Sequence, residues 1–194
     1  LCFRALEMID ALVLVVDDFS DTRDMYAEYL DYAGYRAQTA SDGREAVRRA
    51  LRTHPNVIVM DLAMPVLDGW EATRILHADP RTKDIPIVVL TGTDSDELGR
   101  QALERGAQDY LVKGQHGSDA VRRSVVFALE RSKRQAAEQR QSLLAERLQL
   151  VLEASAEGIC MLDATGRLTF VNRAAAELLG TAPEALLGRQ LHDF

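Results

Sequence analysis

The sequence predicts an α/β protein. Its first part reads as a doubly wound, five-stranded parallel sheet, followed by a long helix and a partial α+β segment. Three observations predict this. Short apolar runs, each the length of one strand, recur between Ala11 and Val112. Stretches with helical apolar spacing lie between them, and strict alternation of this kind builds a parallel sheet covered by helices. Residues 119–153 then contain no proline or glycine and are rich in Ala, Glu, Arg, Gln and Leu, all good helix formers.

Ala11–Val16 is wholly apolar, as a strand buried on both faces must be. Met25, Tyr29, Leu30 and Ala33 share one helical stripe, which Gly34 ends. A weaker strand spans Tyr35–Thr39. Ser41 or Asp42 can cap a helix carrying Ala46, Val47, Ala50 and Leu51, and His54-Pro55 stops it. Val57–Met60 is the third strand, ending at Asp61. Gly69 opens a helix holding Ala72, Ile75 and Leu76. Pro86–Leu90 is the fourth strand, ending at Thr91. Asp94 caps a helix with Leu98, Ala102 and Leu103, closed by Gly106. Asp109–Val112 is the fifth strand, ending at Lys113. In the helix of 119–153, Ala136, Leu143 and Leu150 recur at seven, as do Ala137, Leu144 and Val151, the spacing of a coiled-coil seam. Gly158–Leu162 and Arg167–Val171 form a hairpin around the turn Asp163–Gly166. Asn172 caps a helix running to Leu179, and Pro183–Leu187 makes one further helical turn.

The chain has 194 residues, 47% of them apolar and 27% charged, an ordinary globular balance. Its longest unbroken apolar run falls far short of the ~20 residues of a membrane-spanning helix, so no membrane insertion is expected. Arg4, Glu7 and Asp10 interrupt any signal-peptide core. Twenty-three basic against 30 acidic side chains leave a net charge of −7, unsuited to direct nucleic-acid binding. Cys2 and Cys160 have no metal or redox spacing and fit free thiols in a reducing cytoplasm, with Cys160 expected in the core of its strand. Met8 stands just before the first strong strand and reads as the natural start, with residues 1–7 an addition ahead of it. Residues 1–9 are a tail. The segments that follow are 10–118, 119–153 and 154–194.

The chemistry lies at the strand ends. Asp17 and Asp18 follow strand one, Asp61 strand three, Thr91 strand four and Lys113 strand five. In a parallel sheet these ends share one edge, where ligands of such folds bind. Gathered carboxylates repel one another unless a hard cation sits among them, and Mg²⁺ takes oxygen ligands of this kind. A lysine and a hydroxyl suit phosphoryl oxygens, and a carboxylate can be the nucleophile that accepts a phosphoryl group. Singly, each of these residues is an ordinary cap or surface group; their agreement across the strand ends carries the functional reading. Trp70, His54, His77, His116 and His192 read as structural or surface residues, none in a metal-ligand pattern.

Asp17-Asp18, the run Val59–Gly69 (VMDLAMPVLDG), Thr91-Gly92 and Asp109–Lys113 (DYLVK) together resemble the receiver domain of bacterial two-component response regulators. The resemblance covers about residues 10–128 and implies the flavodoxin-like receiver fold. It implies that Asp61 is the phosphoacceptor. Asp18 would bind Mg²⁺ directly and Asp17 through water, with Asp61 and the Ala63 carbonyl as further ligands. Lys113 would pair with Asp61 and then the phosphoryl group, and Thr91 would bond that group on arrival. Tyr110 would be the aromatic switch, Gly92 would leave room, and Pro65 and Gly69 would shape the loop after the acceptor. The implied activity is a phosphorelay switch that catalyses only its own phosphorylation and dephosphorylation. Its implied donor is a sensor histidine kinase or phosphotransfer protein.

One residue departs from the family pattern: Gly114 stands where a cis proline is common, which predicts a more mobile loop. Ala63 and Thr93 flank the expected path of a hydrolytic water, and Ala63 cannot orient it, so self-hydrolysis is expected to be slow. Rival readings are an aspartyl-phosphate phosphatase with true turnover, an FMN binder and a phosphorylation-independent scaffold. The phosphatases in question, haloacid-dehalogenase-like, carry a second Asp where Ala63 stands. An FMN site would meet repulsion from Asp17, Asp18 and Asp21. The scaffold would not need a complete set of site residues.

From Val151 to Arg189 the chain is similar to the start of a PAS sensor domain, on the Asp163–Gly166 turn, Phe170-Val-Asn172 and the Gly180…Gly188 spacing. It covers ~40 residues of a domain of ~100. It implies a longer signalling protein with its output further on. A homodimer is expected through the long helix, through the face from helix four to helix five, or through both.

Overall fold

The computed structural model describes residues 10–92, 96–114 and 117–190. They form two units that divide at Gln135/Ala136. The first holds a sheet of β1 (Leu12–Val16), β2 (Arg36–Ala40), β3 (Val57–Asp61), β4 (Ile87–Thr91) and β5 (Asp109–Val112). All neighbours are parallel, in the order β2-β1-β3-β4-β5. Between them run α1 (Ser20–Tyr32), α2 (Gly43–Thr53), α3 (Gly69–Ala78) and α4 (Asp96–Glu104), and α5 (Ser118–Ala154) follows.

Alternation along the strands makes two cores. Val13, Val15, Val57, Val59, Val88 and Leu90 point to one face and meet α1 and α5 through Tyr26, Leu30, Val121 and Val125. Leu14, Val16, Ile58, Met60 and Ile87 point to the other, against Ala46 and Ala50 of α2 and Ala72 and Leu76 of α3. Each such fully buried Leu or Ile stabilises the fold by about 1.5–3 kcal/mol. The helix caps follow sequence chemistry. Asp42 accepts from the Glu45 N–H at 2.8 Å and Asp68 from the Glu71 N–H at 2.8 Å.

Some expectations shift. Met25 is 47% exposed, while Tyr26 and Ala27 are buried beside Leu30. Leu30 and Ala33 face the core as expected, and Tyr26 rather than Met25 joins them, because the sheet accepts the Tyr26 ring. On α4, Ala102 is buried and Leu103 exposed. The expected Asp94 cap, the tail 1–9, Cys2, Thr93, the Leu98 side chain, His116 and His192 lie outside the described residues.

In the second unit, β6 (Cys160–Leu162) and β7 (Leu168–Val171) pair antiparallel, followed by α6 (Arg173–Leu178) and α7 (Pro183–Leu186). Asn172 is the hub. Its Oδ1 accepts from the N–H groups of Ile159 (2.7 Å) and Ala175 (3.0 Å), and its Nδ2 donates to the carbonyls of Leu152 and Glu157, both at 2.9 Å. Cys160 is exposed rather than buried, a correction to its expected place in the core. The small core here gathers Leu168, Val171, Ala175, Ala176 and Leu186, on β7 and the two helices, and leaves β6 outside it. On α5, Leu143, Leu144, Leu148, Leu150 and Val151 are exposed. No described helix is long and apolar enough to cross a membrane.

Candidate functional site

Strand pairing assembles the site. β1 and β3 are neighbours with Val16 beside Met60, so Asp17 and Asp61 emerge together at the carboxyl edge. β4 and β5 extend that edge, with Thr91 opposite Val112, and the Lys113 N–H donates to the Thr91 carbonyl at 2.7 Å. Asp17, Asp61 and Thr91 are all buried.

Lys113 closes the cluster. Its Nζ donates to Asp61 Oδ2 at 2.6 Å. The same ammonium lies 2.6 Å from Asp17 Oδ2, an ion-pair contact outside hydrogen-bond geometry, so that oxygen accepts no hydrogen bond. The other Asp17 oxygen accepts from the Phe19 N–H at 3.0 Å, and Arg23 donates to the Asp17 carbonyl at 3.0 Å. The Ala63 N–H donates to Asp61 Oδ1 at 3.3 Å.

Burial pushes the Asp61 carboxyl above the usual carboxylate range, against the pull of Lys113 and with the help of the Asp17 charge. For Lys113, burial opposes the charge, yet the contacts with Asp17 and Asp61 outweigh it and hold the ammonium more basic than usual. Burial likewise raises the Tyr26 phenol, which feels the charges of Lys113 and Asp17. Tyr26 is thus a neighbour of the site that the sequence did not single out, being one residue off the expected stripe.

The donor set suits a hard divalent cation. Asp17, Asp18 and Asp61 each offer a carboxylate oxygen, and these lie within 4.8 Å of one another. Asp18 Oδ1 is buried without a hydrogen-bond partner, a costly state that a cation would relieve, while Asp17 Oδ2 has the Lys113 ammonium beside it.

The rim is defined by the surrounding loops. The close approach of Gly69 to the acceptor strand leaves no room for a side chain: a Cβ there would lie 2.0 Å from the Asp61 carbonyl oxygen. Its N–H donates to the Leu62 carbonyl at 3.0 Å. Between them Val66 takes φ +70, and the Leu67 N–H bonds to the Pro65 carbonyl at 2.8 Å, a γ-turn that is strained for a β-branched residue. Gly92 faces open space. Half-buried Tyr110 packs with Leu62, Val89, Ala102, Ala107 and Trp70, its ring over Gly99 of α4. Gly114 takes φ +80, which the ring of proline forbids, and the loop it opens runs on into 115–116, outside the described residues.

The strand-end residues named from the sequence are therefore at one edge. Asp17, Asp18, Asp61 and Lys113 are brought together, Thr91 and Ala63 border them, and Tyr110 lies one element away against α4.

Residues 13–124 match the response regulator receiver domain family, and residues 146–194 match the PAS fold. The second match begins within α5, upstream of Val151. The transcriptional regulatory protein PrrA of Mycobacterium tuberculosis is 44% identical over 101 residues, 52% of this chain and 42% of that protein. The response regulator PleD of Caulobacter vibrioides is 38% identical over 105 residues, 54% of this chain and 23% of PleD. The chain spans less than half the length of these relatives. Among solved structures, the chemotaxis response regulator CheY4 of Vibrio cholerae superposes with a TM-score of 0.55 at 34% identity, covering 64% of this chain and 99% of that one. NtrX of Brucella abortus gives 0.63 at 28%, covering 68% and 29%.

Proposed function

The chain belongs to the response regulator receiver domain family, and from that premise we propose that it is a Mg²⁺-dependent, phosphorylation-controlled switch of a two-component phosphorelay. The observation that carries this reading is the Lys113 ammonium held between Asp61 and Asp17, beside a buried Asp18 oxygen without a hydrogen-bond partner.

Asp61 is the nucleophile. One of its oxygens forms a bond to phosphorus as the phosphorus–nitrogen bond of a phosphohistidine breaks. The imidazole keeps the electron pair and takes a proton from solvent. Burial makes the carboxylate poorly solvated and so a better nucleophile. Lys113 moves with the incoming charge from carboxylate to phosphoryl oxygen. Thr91 donates its hydroxyl to the same group. Asp18, Asp61 and the Ala63 carbonyl would hold Mg²⁺ directly and Asp17 through water, and the ion would supply neutralisation of phosphoryl charge. Tyr110, packed over α4, responds to the rearranged Thr91, which biases the face made by α4, β5 and α5.

The donor is a sensor histidine kinase or phosphotransfer protein. The chain acts in the cytoplasm, catalyses nothing beyond its own phosphorylation and dephosphorylation, and makes no direct contact with nucleic acid. The working segments are a receiver core at 10–118, a connector helix at 119–153 and a PAS-like segment at 154–194. Exposed Leu143, Leu150 and their neighbours on α5 supply a homodimer seam.

Incubation with acetyl phosphate and Mg²⁺, read by intact mass, tests this. One added phosphoryl group is expected, absent in Asp61→Asn and absent when Mg²⁺ is chelated. Continuous phosphate release with no stable adduct would instead establish a phosphatase.

A further inference from the structure

The net charge of −7 hides a polarity between two helices. α1 carries four acidic residues and one arginine; α2 carries four arginines and one glutamate. They pack on opposite faces of the sheet, α1 in one core and α2 in the other.

On α1 the outward surface has two parallel ridges. Asp24, Glu28 and Asp31 form an acidic ridge, and all three are exposed. Beside it lie Met25, 47% exposed, and Tyr32, 79% exposed, one heptad apart. On the far side of the sheet, a groove of about 820 Å³ opens between α2 and α3. Its apolar wall is Val47, Leu51, Leu67 and Ile75, and Arg44, Arg48 and Arg52 edge it. The three arginines repeat every four residues, so they too form a ridge beside an apolar one. At 1.5 Å per residue the acidic ridge spans about 10 Å and the basic one about 12 Å. Arg48 has only a 3.6 Å contact with Glu45.

We propose that α1 of one copy docks into the α2–α3 groove of a second copy. Met25 and Tyr32 cover the apolar wall, while Asp24, Glu28 and Asp31 meet Arg44, Arg48 and Arg52. The occupant is a second copy because this chain presents a surface matched to the groove in length, charge and ridge order. The two surfaces lie on opposite faces, so the contact is head-to-tail and does not close on itself. Every assembly keeps a free groove at one end and a free α1 at the other, and the product is an open series. The association is independent of the phosphoryl site and of any seam on α5, and it weakens with salt.

Sedimentation equilibrium of the full chain tests it, in about 20 mM and about 300 mM salt, where the screening length differs several-fold. Three variants accompany the wild type: Arg44→Glu with Arg48→Glu, Asp24→Lys with Glu28→Lys, and all four together. At low salt the wild-type weight-average mass should keep climbing with concentration, and high salt should flatten the climb. Each double variant should lose the climb, because like charges then face each other. The fourfold variant should regain it, because its charges are exchanged and attract again. A coiled-coil dimer levels off at two copies in all four, so the climb that counts is the one beyond that mass. A wild-type mass independent of concentration at low salt overturns the proposal. So does a climb in either double variant, or its failure to return in the fourfold variant. Retained phosphorylation by acetyl phosphate shows that each variant is folded.

Discussion

Replacing Gly69 by alanine should damage the site without touching any charged group. A Cβ at this position would lie 2.0 Å from the Asp61 carbonyl oxygen, 2.8 Å from Leu62 Cα and 2.9 Å from the Asp61 carbonyl carbon. Carbon atoms rest about 3.5 Å from their neighbours, so the gap must open by more than about 1 Å. The obstacle is backbone on all three sides, and no side-chain rotation can relieve it. Either β3 shifts at Asp61 or the start of α3 lifts away, breaking the 3.0 Å hydrogen bond from Gly69 N–H to the Leu62 carbonyl. Overpacking of this severity costs about 3 kcal/mol, the upper end of its usual range. For a domain of this size that is a fall in Tm of roughly 10 °C. A displacement of about 1 Å in a nucleophile slows its reaction on the order of 100-fold. Thermal unfolding and the rate of phosphoryl uptake from acetyl phosphate, read by intact mass, measure both effects. Gly117→Ala is the control, because a Cβ there meets nothing within 4 Å. If Gly69→Ala melts within about 2 °C of the wild type and takes up phosphoryl groups at the same rate, the reasoning from close approach is wrong.

Asp61→Asn should raise Tm by a few degrees at neutral pH without metal. Burial lifts the Asp61 carboxyl, so stability from its neutral form is present below the ordinary carboxylate range and lost as pH rises through the raised value; titrating melts from pH 7 downward should narrow the gap. Glu45→Gln should act in the opposite sense. The Ser41 N–H and the Arg49 guanidinium hold Glu45 at about 2, so its contribution is present above ~4.5 and fades as pH falls towards 2. With 20% of the side chain exposed, a loss of about 1–2 kcal/mol at pH 7 is expected in denaturant melts, vanishing in acid. Ala63→Asn should shorten the lifetime of the phosphorylated chain severalfold by supplying an amide to orient water, measured as decay of the phosphorylated mass; an unchanged lifetime removes that role from position 63.

Much of this architecture is legible in residue order because each chemical group ends an apolar run. Val57–Met60 must be strand, so Asp61 must stand at its mouth, and the same holds for Thr91 after β4 and Lys113 after β5. Parallel pairing then leaves these ends no choice but to converge. The phase of α1 is less legible, because Met25 and Tyr26 are both apolar enough to face inward and the sheet decides between them. Cys160 sits in an apolar run, yet the helices of this unit cover β7 and leave β6 outside. The Val66 γ-turn leaves no mark, since sequence propensities disfavour valine at positive φ and the surrounding loop imposes it. Gly114 signals a departure from the family pattern, but the sign of its φ emerges only from the folded chain. The Arg44–Arg48–Arg52 ridge reads as a solvated helix face until α3 is placed beside it.

The strand order has a consequence for how such a chain can be assembled from parts. Lys113 reaches back 96 positions (113 − 17) to Asp17, and among the described residues nothing beyond it contributes a side chain to the reactive pocket. The reactive groups are therefore all in place before the connector begins, and the first turns of that helix, through Val121 and Val125, close the core beneath them. Whatever is fused downstream can be exchanged like a fitting on a standard socket, provided that it grips the same helix.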